Sequence, residues 1–184
     1  AATFNNILNI IDTRSGEFHD DSKVFINSIP GQRLKGKDFD NLIEMTKRHP
    51  DRLVVEFTEE TQLTDDDLAN LKQTFGSMGV ELAIEDYGTG YSNVSNLLRY
   101  MPRYIKIDRS LLSEIHMSPH KQHFVKDIIS FSHDNNILTL AEGVETQEEL
   151  AAMIFLGIDL IQGYYFSRPP PEADFLRYLK QFYL

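Results

Sequence analysis

Apolar and polar positions along this chain switch between two periods. Val24-Phe25-Ile26-Asn27, Leu53 to Thr58, Val80 to Ile84, Tyr104 to Ile107, Ile137 to Ala141 and Leu160 to Phe166 are short apolar runs bounded by turn residues, and they read as strands. Between them the period lengthens to that of a helix. Phe4, Ile7, Leu8 and Ile11 share one face, the tail of a helix. Asp38 to Arg48 is a helix stopped by His49-Pro50. Thr64 opens the next, with Asp65, Asp66 and Asp67 in the first turn, where negative charge suits the dipole. Leu68, Leu71, Phe75 and Met78 give that helix its apolar stripe, and Gly79 ends it.

The same reading predicts a short helix from Asn93 to Tyr100, a longer one from Pro119 to Asp134, and a closing one from Glu172 to Tyr183. Thr146 and Glu149 form a capping box for a helix ending near Gly157. Strands alternating with helices predict an α/β domain with mostly parallel strands.

Bulk composition narrows the function classes. The 184 residues are 41% hydrophobic and 25% charged, ordinary for one soluble domain with a full core. The absence of cysteine excludes disulfides and thiolate metal sites and fits a cytoplasmic location. No apolar run is long enough to span a bilayer, so no membrane contact is expected of this domain. A net charge of −10 argues against binding duplex nucleic acid, whose backbone it would repel. A small anion is still accommodated if divalent cations lie between it and the protein carboxylates.

The polar residues follow a rule. Asn27, Glu56, Glu85, Asp86, Asp108 and Glu142 each fall at the C-terminal end of a predicted strand or just past it, after apolar residues. In a β/α barrel that end is the active face, because the strand-to-helix loops converge there. Strand alternation puts Lys106 and Asp108 on one face and Ile105 and Ile107 on the other. Oxygen donors without cysteine or a histidine pair at ligand spacing point to hard cations, Mg²⁺ or Mn²⁺. His116, His120 and His123 read as solvated charges rather than ligands. At least two of Tyr164, Tyr165 and Phe166 are expected in the core.

At these positions the chain resembles the EAL family. The matching segments are Phe25-Ile26-Asn27, Glu56-Phe57-Thr58-Glu59, Glu85-Asp86-Tyr87-Gly88-Thr89-Gly90-Tyr91-Ser92, Lys106-Ile107-Asp108-Arg109-Ser110, Ala141-Glu142-Gly143-Val144-Glu145-Thr146 and Gln162-Gly163-Tyr164-Tyr165-Phe166-Ser167-Arg168-Pro169. The resemblance implies a modified TIM barrel that hydrolyses cyclic di-GMP to linear pGpG with two Mg²⁺ or Mn²⁺ ions. By motif, Asn27, Glu56, Glu85, Asp86 and Asp108 would be metal-side residues, with Glu142 and Lys106 catalytic. Glu59 would anchor the loop from Asp86 to Ser92, and Glu145 and Gln162 would lie on the substrate side or support the ligands. Ordinary solvated charges are the alternative for Glu59 and Glu145, and a structural pairing with Lys106 is the alternative for Asp108.

Two features depart from the family pattern. No Glu-Ala-Leu triplet occurs, so a single EAL-type domain over 1–184 is expected to lack its first strand and adjoining helix and to be excised from a longer protein. The usual Asp-Asp pair reads Glu85-Asp86. From the first departure follow three expectations: impaired activity of the chain alone, an upstream sensor or GGDEF-type domain in the parent, and an open strand edge. That edge would be closed by homodimerisation or by the Phe4-to-Ile11 helix. The competing function is a catalytically silent module that binds cyclic di-GMP or a protein partner.

Overall fold

Six strands lie side by side in chain order, every neighbouring pair parallel. The structure is a computed structural model and describes residues 9–13, 16, 22–27, 36–58, 61, 63–89 and 94–168. The strands are β1 (Val24–Asn27), β2 (Leu53–Thr58), β3 (Glu81–Tyr87), β4 (Tyr104–Ile107), β5 (Leu138–Ala141) and β6 (Leu160–Ile161). Residues 9–13 are helical (α1). The other helices are α2 (Lys37–Arg48), α3 (Asp65–Ser77), α4 (Val94–Tyr100), α5 (Arg109–Leu112), α6 (Pro119–Asp134) and α7 (Gln147–Leu156), with a 3₁₀ turn at Ile115–Met117. Consecutive parallel strands joined by helices form part of a TIM-type barrel.

The strand period of two splits the core. On one side Val54, Ala83 and Tyr104 are buried, with Phe25 and Leu138 packed against them, and they fill the concave interior. The rings of Phe25 and Tyr104 meet edge to face at 5.2 Å. On the other side Ile84, Ile105, Ile107 and Ala141 pack beneath α6 and α7, with Leu112, Val125, Ile129 and Met153. A second helix-side cluster joins Ile26, Leu53 and Val55 to Leu42 and Met45 of α2 and to Ile11 of α1.

The helix starts follow the local chemistry. Thr64 accepts the Asp67 amide ahead of α3, Ser118 accepts that of Lys121 ahead of α6, and Thr146 with Glu149 completes the capping box of α7. At the N-terminal ends of the strands Tyr104 donates to Glu81 (3.1 Å), which also pairs with Lys23 at 2.9 Å. Burial and the Glu81 carboxylate push the Tyr104 phenol up to about 12. That end is knitted by structural contacts and leaves the opposite, C-terminal ends for chemistry.

Two expectations are corrected, one helix was not expected, and two expectations fall outside the described residues wholly or in part. The last strand is Leu160–Ile161 rather than a run to Phe166, because the chain turns at Gly163. Tyr164, Tyr165 and Phe166 are exposed, not core, since they follow that turn. Arg109–Leu112 forms a short helix that periodicity missed, started by Asp108 as its cap. Phe4, Ile7, Leu8 and the helix from Glu172 lie outside the described residues, although Ile11 is buried as its spacing predicts. No helix among the described residues is long and apolar enough to cross a membrane.

Candidate functional site

Strands β1 to β4 each carry a polar side chain toward the C-terminal end, and the loop after β5 adds another. Asn27 stands opposite Glu56 across β1 and β2, and Thr58 opposite Glu85 across β2 and β3. Lys106 stands opposite Leu140 across β4 and β5, and Glu142 follows β5, its amide bonded to Ile107 O at 3.1 Å. Phe25, Val54, Ala83 and Tyr104 lie two residues before Asn27, Glu56, Glu85 and Lys106 on β1 to β4, and with Leu138 of β5 they form an apolar floor beneath the polar side chains.

Lys106 is the centre of this layer. It is 7% exposed, and its ammonium is ion-paired to Glu56 and lies 2.8 Å from Glu142 Oε1. The Phe25 ring lies 6.0 Å from the same ammonium. Burial works against the lysine charge, but Glu142 and Glu56 outweigh it and hold the ammonium above the ordinary lysine range. Glu56 is 3% exposed, and its Oε1 faces the Lys106 ammonium directly.

The acids are left under-compensated. Burial pushes the Glu142 carboxyl up; Lys106 pulls it back, Glu56 and Asp86 push further, and the result lies above the usual carboxylate range. Glu85 is also raised, first by burial and then by Glu56. Among the described residues, one ammonium beside the four carboxylates of Glu56, Glu85, Asp86 and Glu142 leaves a surplus of negative charge in a partly desolvated space.

Adjacent residues on a regular strand point to opposite faces, so Glu85 and Asp86 cannot both face one site without a distortion. β3 supplies it. Ile84 pairs with Ile105 and Tyr87 with Ile107, so β3 carries one extra residue across this stretch. Asp86 takes a left-handed conformation, φ 56°. This bulge lets both carboxylates act on the same neighbours.

Other candidates occupy the rim. The Asp108 carboxylate accepts the Ser110 amide at 2.8 Å and caps α5, while the ion pairs of Lys106 go to Glu56 and Glu142. Glu145 accepts from Arg109 Nη2 at 2.8 Å, and the same guanidinium donates to Gly143 O at 2.8 Å. The Gln162 backbone bridges Ala141 O and the Val144 amide. Asn27 and Asp86 are exposed. Glu59 lies outside the described residues. Arg109 and Glu149 escaped the sequence reading as parts of this site; the capping box marked Glu149 only as a helix start.

An all-oxygen donor set and an excess of negative charge suit a hard divalent cation. Among the described residues no three acidic or histidine side chains converge at ligation distance, and the Lys106 ammonium stands between Glu56 and Glu142.

Parallel strands whose C-terminal ends gather acids around one buried lysine define a β/α-barrel protein with an acidic functional face. The sequence matches the EAL domain family over residues 2–169, and the chain belongs to that family. It is 36% identical to the probable cyclic di-GMP phosphodiesterase PdeN of Escherichia coli K12 over 146 residues, 79% of this chain but 28% of PdeN. The chain therefore spans little more than a quarter of that relative. A standalone EAL protein from Vibrio cholerae O395, solved with cyclic di-GMP bound, superposes with a TM-score of 0.71 and 32% identity, covering 80% of this chain and 65% of that one. Klebsiella pneumoniae BlrP1, solved with manganese and cyclic di-GMP, superposes at 0.79 with 31% identity, covering 90% and 44%.

Proposed function

We propose that this domain serves cyclic di-GMP signalling as the acidic half of a metal-dependent phosphodiesterase site. The observation that carries the reading is the polar layer itself, with Glu56 and Glu142 paired to the Lys106 ammonium and Glu85 and Asp86 adding negative charge beside them. Such a surplus of desolvated negative charge has little structural use and suits a bound cation and an anionic ligand. Kinship with cyclic di-GMP phosphodiesterases supports that ligand.

In this reading Asn27, Glu56, Glu85 and Asp86 would hold Mg²⁺ or Mn²⁺, with Asp108 at the rim beside them. When bound, hard divalent ions supply charge neutralisation at the phosphodiester and lower the pKa of a bound water. The protein's own part can be read from its residues. Glu142, whose carboxyl burial raises above the ordinary carboxylate range and which lies beside the Lys106 ammonium, is placed to orient a water and accept its proton. Lys106, held firmly protonated, steadies Glu142 and offers positive charge to a phosphate oxygen. Tyr104 and Phe25 close the floor against solvent. Glu145 and Gln162 border the loop that carries Glu142, and Glu59 is assigned the anchoring of the loop after β3.

The test is linear product formation from cyclic di-GMP with Mn²⁺, with calorimetric binding in parallel. The 184 residues alone are expected to give no turnover, because the family reaction uses a Glu-Ala-Leu glutamate that occurs nowhere in this sequence. A longer chain supplying that strand is expected to be active. Family-typical turnover by the 184 residues would show that the missing ligand is dispensable.

One observation favours a silent receptor instead, namely glutamate at position 85 where the family has aspartate. The extra methylene displaces the carboxylate by about 1 Å, a change that costs up to about a hundredfold where geometry governs rate. In an active longer chain Glu85→Asp is expected to raise turnover about tenfold or more. If the longer chain binds cyclic di-GMP but turns over neither as such nor as Glu85→Asp, the receptor reading replaces the enzyme.

A further inference from the structure

The residue proposed to handle the water, Glu142, is not on a strand. It opens a loop, and a loop holds a carboxylate in place only if its backbone is fixed from outside. That loop is gripped on three sides. Arg109 donates to Gly143 O at 2.8 Å and to Glu145 Oε2 at 2.8 Å. Gly143 has φ 69°, and a Cβ there would lie 3.0 Å from Arg109 Cβ, so the guanidinium stem lies directly over the loop. Val144 is fully buried, donates to Gln162 O at 3.2 Å and accepts from Tyr165 N at 3.0 Å. Gly163 approaches so closely that a Cβ would come within 2.1 Å of Val144 O.

The third grip is Glu149. Its side chain is the ordinary partner of the capping box, accepting the Thr146 amide at 3.3 Å. A cap alone does not explain its other bonds. Oε2 also accepts the Glu145 amide at 2.9 Å, inside the Glu142 loop. Oε1 accepts the Glu114 amide at 3.1 Å, in the turn after α5, where Glu114 is left-handed at φ 54°. One carboxylate, 4% exposed, thus joins α7, the loop after β5 and the turn that follows Arg109 and its helix. Burial alone would push this carboxyl up, but the amides of Glu145, Glu114 and Thr146 and the charge of Arg109 hold it below the usual range, so it stays ionised.

We propose that Glu149 is a positioning residue for the reaction: by binding the Glu145 and Glu114 amides at once, it fixes the loop that aims Glu142 at Lys106. The inference rests on Glu142 being the working carboxylate, as proposed above. Glutamine at 149 keeps the shape but replaces one acceptor oxygen with an NH₂ group, which faces backbone donors it cannot accept from. Aspartate keeps the charge with a shorter reach.

The experiment compares Glu149→Gln, Glu149→Asp and Thr146→Ala by amide hydrogen exchange. Thr146→Ala weakens the same helix start without touching the Glu149 carboxylate. The readout is the Glu142 and Val144 amides, which bond to Ile107 O and Gln162 O and not to Glu149. Glu149→Gln is expected to speed both about tenfold, a change on the scale of one lost bond to a charged acceptor. Glu149→Asp should recover part of the protection, and Thr146→Ala should leave both amides slow. In a longer, active chain Glu149→Gln should lower kcat about tenfold with KM within about twofold, since aim rather than ligand contact is lost.

Wild-type protection of both amides in Glu149→Gln overturns the proposal, as does equal deprotection in Thr146→Ala. Should Glu149→Gln not fold, Glu149→Asp set against Thr146→Ala decides by the same amides. Deprotection as expected, in a longer chain that shows no turnover either as such or as Glu85→Asp, leaves Glu149 as the residue that fixes the Glu142 loop and removes the phosphodiesterase reading.

Discussion

Replacing Lys106 by methionine is expected to destabilise the metal-free protein by about 3–5 kcal/mol, the cost of stranding buried charge. For a chain of this size that lowers the thermal midpoint by on the order of 10 °C. The reason is the imbalance around the ammonium. Glu56 is 3% exposed, Glu142 is partly buried, and Glu85 and Asp86 add to the same field. Removing the cation leaves the acids facing one another in a poor solvent for charge.

The pH dependence of the loss has a definite sign. Glu142 and Glu85 have folded pKa values raised above the ordinary carboxylate value. A raised carboxyl costs stability above its folded pKa, and the cost vanishes as pH falls below the unfolded value of about 4.3. The Lys106→Met deficit should therefore be largest near neutral pH and shrink on acidification as the acids take up protons. Glu149 and Asp159 act in the opposite direction: their folded values are depressed, so their support is full above the ordinary range and lost as pH falls through the depressed values. Calorimetric scans from pH 7.5 to about 5 separate the two, because the depressed groups do not titrate within that window. Adding Mn²⁺ should restore part of the Lys106→Met midpoint by supplying another counter-charge. An unchanged midpoint at neutral pH would mean that the ion pairs of Lys106 contribute nothing to the fold.

In a longer chain that turns over cyclic di-GMP, Glu56→Ala and Glu142→Ala are each expected to lower turnover by about 10²–10⁴-fold, the range typical of removing a positioned acid–base group. The two should differ in another measurement. Glu56 touches Lys106 from a strand interior and is assigned to the cation, so its loss should weaken Mn²⁺ binding as well. Glu142 stands on a loop and is assigned to the water, so its loss should leave ligand affinity near wild type. Calorimetry with Mn²⁺ and with cyclic di-GMP distinguishes these outcomes. Turnover unaffected by both substitutions would discard the site.

Much of this was legible in the chain. The alternation in Tyr104-Ile105-Lys106-Ile107 predicted isoleucines under helices and a lysine facing inward, and the two isoleucines are fully buried in the helix-side core. The Thr64 and Thr146 starts were readable because a cap is decided within one turn of chain. The turn at Gly163 was not, since it depends on the approach of Gly163 to Val144, a contact between separate segments. The short helix after Asp108 escaped because four residues carry too little periodicity.

The sequence by itself determined which residues end the strands, because apolar runs of period two and the turn residues that bound them are local properties. It thereby placed Asn27, Glu56, Glu85, Lys106 and Glu142 on one end of a parallel sheet. Only the tertiary structure decided that one ammonium answers both Glu56 and Glu142, that a bulge turns Glu85 and Asp86 toward the same neighbours, and that Glu149 ties the loop of Glu142 to the turn at Glu114. Those contacts join residues far apart in the chain, and their geometry is set by strand register and loop conformation, which no single stretch of sequence encodes.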